Sequence, residues 1–283
     1  MKKNIKKFIV IPVYNDWRSL NKLLIKLDNN LKKKFSQIEI LIINDNSTEK
    51  LKLSSHKFSC LKKINILTLS KNVGSQRAIA MGLIYLKKVK GDFVVTVMDS
   101  DGEDDPIEVP KMMKLAMKNS KYVITSNRKS RKESKIIVFL YRIHLLLTFL
   151  FTFKWLSFGN FTSFRKENLS RLFIDNSLFC AYSSAIMKNC YIKRIYAKRR
   201  KRYFDKSKLG LISLIEHSLR VNSVFFKNII FSSIIYVIFF TLFFSKVFNL
   251  VFFILILIFN FLIMLMKFKY PKIHISYIKQ KIL

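Results

Sequence analysis

Short apolar runs alternate with longer amphipathic segments along the first part of the chain. The runs at 8–13, 38–43, 64–69, 93–98 and 122–126 show no polar alternation and read as strands buried on both faces. Between them, Leu20, Leu23, Leu24 and Leu27, and then Ala78, Met81, Gly82 and Tyr85, recur at helical spacing. This β-α-β alternation predicts an α/β fold with a mainly parallel sheet. Ligands of such sheets bind beyond the carboxyl ends of the strands. The segments "PVYND", "NDNS" and "DSDGEDD" each follow a predicted strand, so all three are expected along one edge.

The pattern changes twice more. The stretch 136–155, "IIVFLYRIHLLLTFLFTFKW", is long and apolar but carries Arg142, His144 and Lys154. It reads as a helix on a membrane surface rather than a span, with a buried domain helix as the alternative. Further on, 228–245 and 247–266 are uncharged and each long enough to cross about 30 Å of hydrocarbon. The short turn at Lys246 makes them a two-helix transmembrane hairpin, a buried helical pair in a soluble protein being the alternative. Domain boundaries follow: a catalytic-type α/β domain over 1–224, divided near 126/127, the hairpin within 225–268, and a basic tail over 269–283. Both flanks of the hairpin then lie on one side, and by the positive-inside rule that side is cytoplasmic.

Composition sharpens this picture. The 283 residues include 52 Lys plus Arg against 17 Asp plus Glu, a formal charge of +35, and 51% are hydrophobic. Such a chain is too apolar and aromatic to be disordered. Its basicity points to a polyanionic partner, either nucleic acid or an anionic membrane face. Two membrane spans exclude the former, so membrane lipid is the expected partner. No acid follows Glu216, which adds to the attraction of the tail for lipid headgroups. Cys60, Cys180 and Cys190 have neither disulfide nor zinc spacing, and His56, His144, His217 and His274 are scattered, which excludes zinc sites and hydrolase triads. The basic N-terminus leads into a short run that meets Pro12 at once and reads as a first strand, not a signal peptide.

Against this positive charge, Asp99, Asp101, Glu103, Asp104 and Asp105 crowd into seven positions. Asp99 and Asp101, two apart in extended chain, place both carboxylates on one side. Together they can hold one hard cation, Mg²⁺ or Mn²⁺, with Glu103 completing the shell and open positions left for phosphate oxygens. Asp105, before Pro106, reads as a helix cap. Asp16 and Asp45 on neighbouring strand ends offer acceptors for the NH and OH groups of a base and a ribose. "SKNVGSQRAIAMG" adds a polar turn with Asn72 before a small-residue helix, and it lacks both the Gly-x-Gly-x-x-Gly and the P-loop patterns. A metal-bound nucleoside diphosphate remains as the ligand.

In this order and spacing, "IPVYND", "LIINDNST", "NVGSQRAIAMGL" and "VMDSDGEDDP" resemble family 2 glycosyltransferases of the GT-A fold. Past about residue 130, "NRKSRKES", "FLYR", "GNFTSFRK" and "RYFDKSK" followed by two spans resemble the polyprenyl-phosphate branch of that family, which includes dolichyl-phosphate mannose synthase. The resemblance implies nucleotide contacts from Pro12, Tyr14, Asn15, Asp16, Asp45 and Asn72, and metal and diphosphate contacts from Asp99, Asp101 and Glu103. It assigns phosphate handling to Arg128, Arg131, Ser134, Arg202, Ser207 and Lys208, with Arg128 and Arg131 joining the two aspartates in catalysis. Asn44 stands where the family often has a first Asp, and Glu103, Asn160 and Asp205 depart from the branch pattern, which has Gln, Asp and Gly at those positions.

The implied activity is an inverting transfer of sugar from a nucleoside diphosphate to a polyprenyl phosphate. An anionic phosphate nucleophile needs no general base, and the region after Ser126 is poor in acids and rich in Arg and Lys. A saccharide hydroxyl acceptor and a non-catalytic membrane subunit are the rival readings, and a homo-oligomer stays open.

Overall fold

The computed structural model describes residues 5–128, 135–204, 210–270 and 278–282. All five expected strands form: β1 (Lys6–Val13), β2 (Ile38–Asn44), β3 (Leu61–Leu69), β4 (Phe93–Val97) and β5 (Tyr122–Arg128). Three more join them, β6 (Phe158–Arg165), β7 (Tyr191–Ala197) and β8 (Ile278–Ile282), to give one sheet ordered β7-β5-β6-β4-β1-β2-β3-β8. The pairs β1–β2, β1–β4, β2–β3 and β5–β7 are parallel, whereas β6 runs antiparallel between β4 and β5. Strand β6 escapes a hydrophobicity reading because its buried positions include Thr162 and Ser163. Their hydroxyls are paired inside the core, Ser163 with Thr96 at 3.0 Å and Thr162 with the Tyr182 hydroxyl at 2.5 Å, which removes the cost of burying them.

Helices cover both faces. On one, α1 (Trp17–Leu31) buries Leu20, Leu23, Leu24, Leu27 and Leu31 at helical spacing, beside Ile9, Ile11 and the inner residues of α3 (Val109–Lys118). Each such leucine contributes about 1.5–3 kcal/mol through burial. On the other face, α2 (Ser75–Lys87) lies close over β1 and β2 because Gly82 has no side chain. A Cβ there would stand 2.9 Å from Ile43 Cδ1 and 3.0 Å from Val10 Cγ1. The same face holds α5 (Glu167–Leu172), α6 (Ser177–Cys180), α7 (Tyr182–Asn189) and the end of α8 (Leu211–Ser223).

Helix α4 (Lys135–Thr152) is not the buried domain helix that the sequence left as an alternative. One side packs on α9 (Phe226–Phe243), where Ser232 Oγ donates to the Phe151 carbonyl at 3.0 Å and the Tyr236 hydroxyl to that of Leu150 at 2.5 Å. The rest of its surface exposes Ile136, Phe139, Leu140, Leu146, Leu147 and Leu150. Helix α10 (Lys246–Lys269) returns along α9, with Asn260 Nδ2 donating to Ser233 Oγ at 2.9 Å. Both α9 and α10 are long and apolar enough to cross a membrane. At 1.5 Å per residue their 18 and 24 residues extend about 27 and 36 Å.

After the hairpin the chain comes back to the sheet. Part of the segment read as a basic tail, Ile278–Ile282, forms β8 and pairs antiparallel with β3. The N-terminal domain and the end of the chain therefore meet at one end of the hairpin.

Gly82→Val should destabilise the fold by about 1–3 kcal/mol through overpacking against Val10 and Ile43, read as a lowered denaturation midpoint in detergent.

Candidate active site

The carboxyl ends of β1, β2 and β4 lie side by side because those strands are parallel neighbours. Each is followed by a polar loop. After β1, Asn15 takes a left-handed conformation at φ 48° and joins the first loop to the second. Its backbone N–H donates to Ser47 Oγ at 3.0 Å, its Nδ2 to Thr48 Oγ1 at 2.9 Å, and its Oδ1 accepts from the Glu49 N–H at 3.2 Å. Asn44 Oδ1 accepts from the Ser47 N–H at 2.9 Å, so two asparagines shape the "NDNST" turn. Pro12 is buried in β1 opposite Ile43, Tyr14 stands exposed at the edge, and Asp16 caps α1 by accepting from the Ser19 N–H at 3.3 Å.

Asp45 is buried, at 2% exposure. Its two oxygens accept from the N–H groups of Val73 and Gly74, both at 2.8 Å, and Asn72 Oδ1 also accepts from Gly74 at 3.1 Å. Burial pushes the Asp45 carboxyl above its ordinary pKa, and those two amides and Arg77 pull it back only in part. The structure thus gives Asp45 the task of holding the turn before α2.

The acidic loop after β4 is tightly folded. Asp101 Oδ1 accepts from the Glu103 N–H at 2.9 Å, Asp104 Oδ2 from the Asp99 N–H at 3.1 Å, and Asp105 Oδ1 caps a short 3-10 turn, Pro106–Glu108. A basic run from β7 lies across this loop as a strap. The Arg200 N–H donates to the Glu103 carbonyl and the Tyr203 N–H to the Asp101 carbonyl, both at 2.9 Å. Arg202 reaches Asp101 Oδ2 at 3.0 Å and stands 3.9 Å from Asp16 Oδ2, Arg200 Nε pairs with Asp105 Oδ2 at 2.7 Å, and Arg199 pairs with Glu103. Burial lowers the Arg199 pKa, against the opposing pull of Asp101 and Asp99. Gly102 makes this contact feasible: it adopts φ +82°, and a Cβ there would overlap the Tyr203 ring. Lys22 and Lys26 of α1 stand over that ring, and Arg18 lies 3.9 Å from the centre of the Phe204 ring.

Asp99 is held from the opposite side. Asn160 Nδ2, on β6, donates to Asp99 Oδ1 at 3.0 Å.

Of the three residues expected to form a metal shell, Glu103 is turned to Arg199 and does not join the other two. Among the described residues no group of three or more carboxylates, cysteines or histidines converges as a metal site. The pair Asp99 and Asp101 still fits a hard divalent cation. Both are oxygen donors, and the guanidinium on Asp101 shows that the loop takes up positive charge. Arg128 closes β5 opposite Ala197, where the strap begins. Arg131, Ser134, Ser207 and Lys208 lie outside the described residues. Sequence reasoning selected only Arg202 from the strap and missed Arg199, Arg200 and Tyr203. The available signal was a run of cations ending in Tyr-Phe in a chain with one concentrated set of acids.

The chain belongs to glycosyl transferase family 2, whose family model matches residues 8–193, well over half of its length. Among curated relatives, the undecaprenyl-phosphate 4-deoxy-4-formamido-L-arabinose transferase of Pseudomonas savastanoi pv. phaseolicola is 32% identical over 139 residues, 46% of this chain and 40% of that protein. That of Proteus mirabilis is 27% identical over 128 residues, 44% and 38%. The dolichol-phosphate mannosyltransferase of Pyrococcus furiosus is 27% identical over 124 residues, 44% and 33%. The matches thus span well under half of these relatives' length. Among solved structures, glucosyl-3-phosphoglycerate synthase from Mycobacterium tuberculosis with Mn²⁺, UDP-glucose and phosphoglyceric acid superposes with a TM-score of 0.51 at 14% identity, covering 80% of each chain. A mycobacterial protein also gives 0.51, at 12% identity, covering 80% of this chain and 75% of the other. Together with the sheet order, these likenesses show a GT-A fold.

Gly102→Ala should loosen the strap, seen as faster tryptic cleavage within 198–202 and a lower melting temperature. The same change in a Tyr203→Ala background should cost less, because the ring it would strike is gone. Asp45→Asn should lose one of two buried amide partners, costing about 1–3 kcal/mol in thermal unfolding.

Proposed function

We propose that this chain is an inverting, metal-dependent glycosyltransferase that moves a sugar from a nucleoside diphosphate to a polyprenyl phosphate at the cytoplasmic face of a membrane. One observation carries the reading. The acidic sheet edge with its arginine strap shares a chain with α4, α9 and α10, whose apolar surfaces suit a lipid acceptor. The relatives named for undecaprenyl-phosphate and dolichol-phosphate transfer support the acceptor class.

The chemistry follows from the charges. A phosphate oxygen of the acceptor attacks the anomeric carbon on the face opposite the leaving group. The bond to the donor diphosphate breaks with its electrons going to the diphosphate oxygen, and no proton need move. Consistent with that, each acid described at the site already accepts from an N–H or a guanidinium: Asp16, Asp45, Asp99, Asp101, Glu103, Asp104 and Asp105. None is set aside as a general base. Asp99 and Asp101 would hold Mg²⁺ or Mn²⁺, which supplies charge neutralisation to the departing diphosphate when bound. Arg199 and Arg202 bring guanidinium groups that can turn from carboxylates to phosphates. The hairpin would cross the membrane twice, with the basic flanks inside.

Radiolabelled UDP- and GDP-sugars offered to short-chain polyprenyl phosphate in detergent should yield an organic-extractable product with Mg²⁺ or Mn²⁺ and none with EDTA. Asp101→Ala should lower turnover about 100-fold or more, since charge neutralisation at the leaving group is worth several kcal/mol. Consumption of donor with a saccharide acceptor, and none with polyprenyl phosphate, would refute the lipid-phosphate reading while leaving a glycosyltransferase.

A further inference from the structure

A chain of hydrogen bonds runs from the core to Asp99, and it has a direction. The Tyr182 backbone N–H donates to Gln76 Oε1 at 2.9 Å, Gln76 Nε2 donates to Asn160 Oδ1 at 2.9 Å, and Asn160 Nδ2 donates to Asp99 Oδ1 at 3.0 Å. Chemistry sets the direction at both ends, since a backbone N–H only donates and an ionised carboxylate only accepts. Each of the two amides between them therefore has one permitted orientation. The chain is anchored in packed structure: Gln76 is 5% exposed on α2, Tyr182 is fully buried, and the Tyr182 hydroxyl pairs with Thr162, two residues from Asn160 on β6.

We infer that Gln76 and Asn160 are positioning residues that aim the Asp99 carboxylate at a divalent cation, Gln76 acting through Asn160. The inference rests on the reading of Asp99 as a cation ligand. A carboxylate at a strand end turns about its side-chain bonds, and the Asn160 N–H on one oxygen reduces that freedom before a cation arrives. Asn160 can serve because it is neutral.

Directionality gives a test that packing alone would not pass. Gln76→Glu keeps size and shape and still accepts from Tyr182, but it has lost the donor to Asn160. Asn160 must then turn its amide to donate to the introduced carboxylate, which sets its carbonyl oxygen against Asp99. Gln76→Met keeps the volume, offers neither donor nor acceptor, and leaves Asn160 free to donate to Asp99. A purely structural role predicts the reverse ranking, because methionine strands the Tyr182 N–H and glutamate does not.

Mn²⁺ alone would be titrated into the full chain in detergent and followed by electron paramagnetic resonance, with thermal unfolding of the metal-free protein measured in parallel. Gln76→Glu and Asn160→Ala should each raise the Mn²⁺ Kd about tenfold, the scale on which a charged acceptor loses a donor, and Gln76→Met should raise it less than about threefold. Asp99→Asn serves as the control and should abolish binding. If Asp99→Asn abolishes binding while Gln76→Glu binds as the unmodified chain does, or no worse than Gln76→Met, the positioning role is overturned. Wild-type binding by Asp99→Asn would instead overturn the cation reading, and the inference with it. Should Gln76→Glu fail to fold, Asn160→Ala, at a half-buried position, decides the same question.

Discussion

The structure turns on meeting concentrated negative charge at the carboxyl edge of a parallel sheet. Asp99, Asp101, Glu103 and Asp105 crowd one loop, and carboxylates so placed repel unless cations or N–H groups face them. The molecule supplies both. Arg199, Arg200 and Arg202 arrive from β7, and amides arrive from the loop itself and from β6. Gly102 takes a conformation that L side chains rarely adopt so that Tyr203 can seat the strap against the loop. Removing the cations would leave partly buried carboxylates unpaired, a larger loss than any single bond here returns.

That arrangement also explains why so basic a chain keeps its acids together. On the proposed function, a diphosphate and a lipid phosphate both need positive surroundings, and only a position that would hold a cation needs negative ones. The strap sits at the boundary, with guanidinium groups able to satisfy carboxylates or phosphates. Helices α4, α9 and α10 expose apolar side chains where a soluble domain would place charge, as the proposed lipid acceptor would require. Strand β8 ties the end of the hairpin back to β3, so the sheet bearing the acidic loop is joined to the hairpin both before α9 and after α10.

Legibility followed chemistry element by element. Strands β1, β2 and β4 were readable because they are buried on both faces and carry mostly apolar runs, interrupted only by Glu39 and Thr96. Strand β6 was not, because Thr162 and Ser163 are buried but satisfied by hydroxyl partners that sequence cannot show. Strand β7 lies at an edge with four of its seven residues exposed, and β8 sets Lys-Gln-Lys between two isoleucines, which reads as a tail until β3 is known to lie beside it. In the site, the spacing of Asp99 and Asp101 was a weak signal by itself and gained specificity from the acids on neighbouring strand ends. The turning of Glu103 toward Arg199, and the burial of Asp45 under its own loop, were not readable.

The sequence by itself determined the alternation of buried strands and helices, the edge where the acidic loops meet, and the two apolar helices. These follow from local periodicity, capping and charge density, which are properties of neighbouring residues. Only the tertiary structure decided what each acid does. Asn160, which donates to Asp99, lies 61 residues from it, and Gln76, which donates to Asn160, lies 84 residues from that, so their meeting depends on β6 inserting antiparallel between β4 and β5 while α2 packs above. Hydrogen-bond direction and ion pairing act over about 3 Å, and packing of the whole sheet sets distances on that scale.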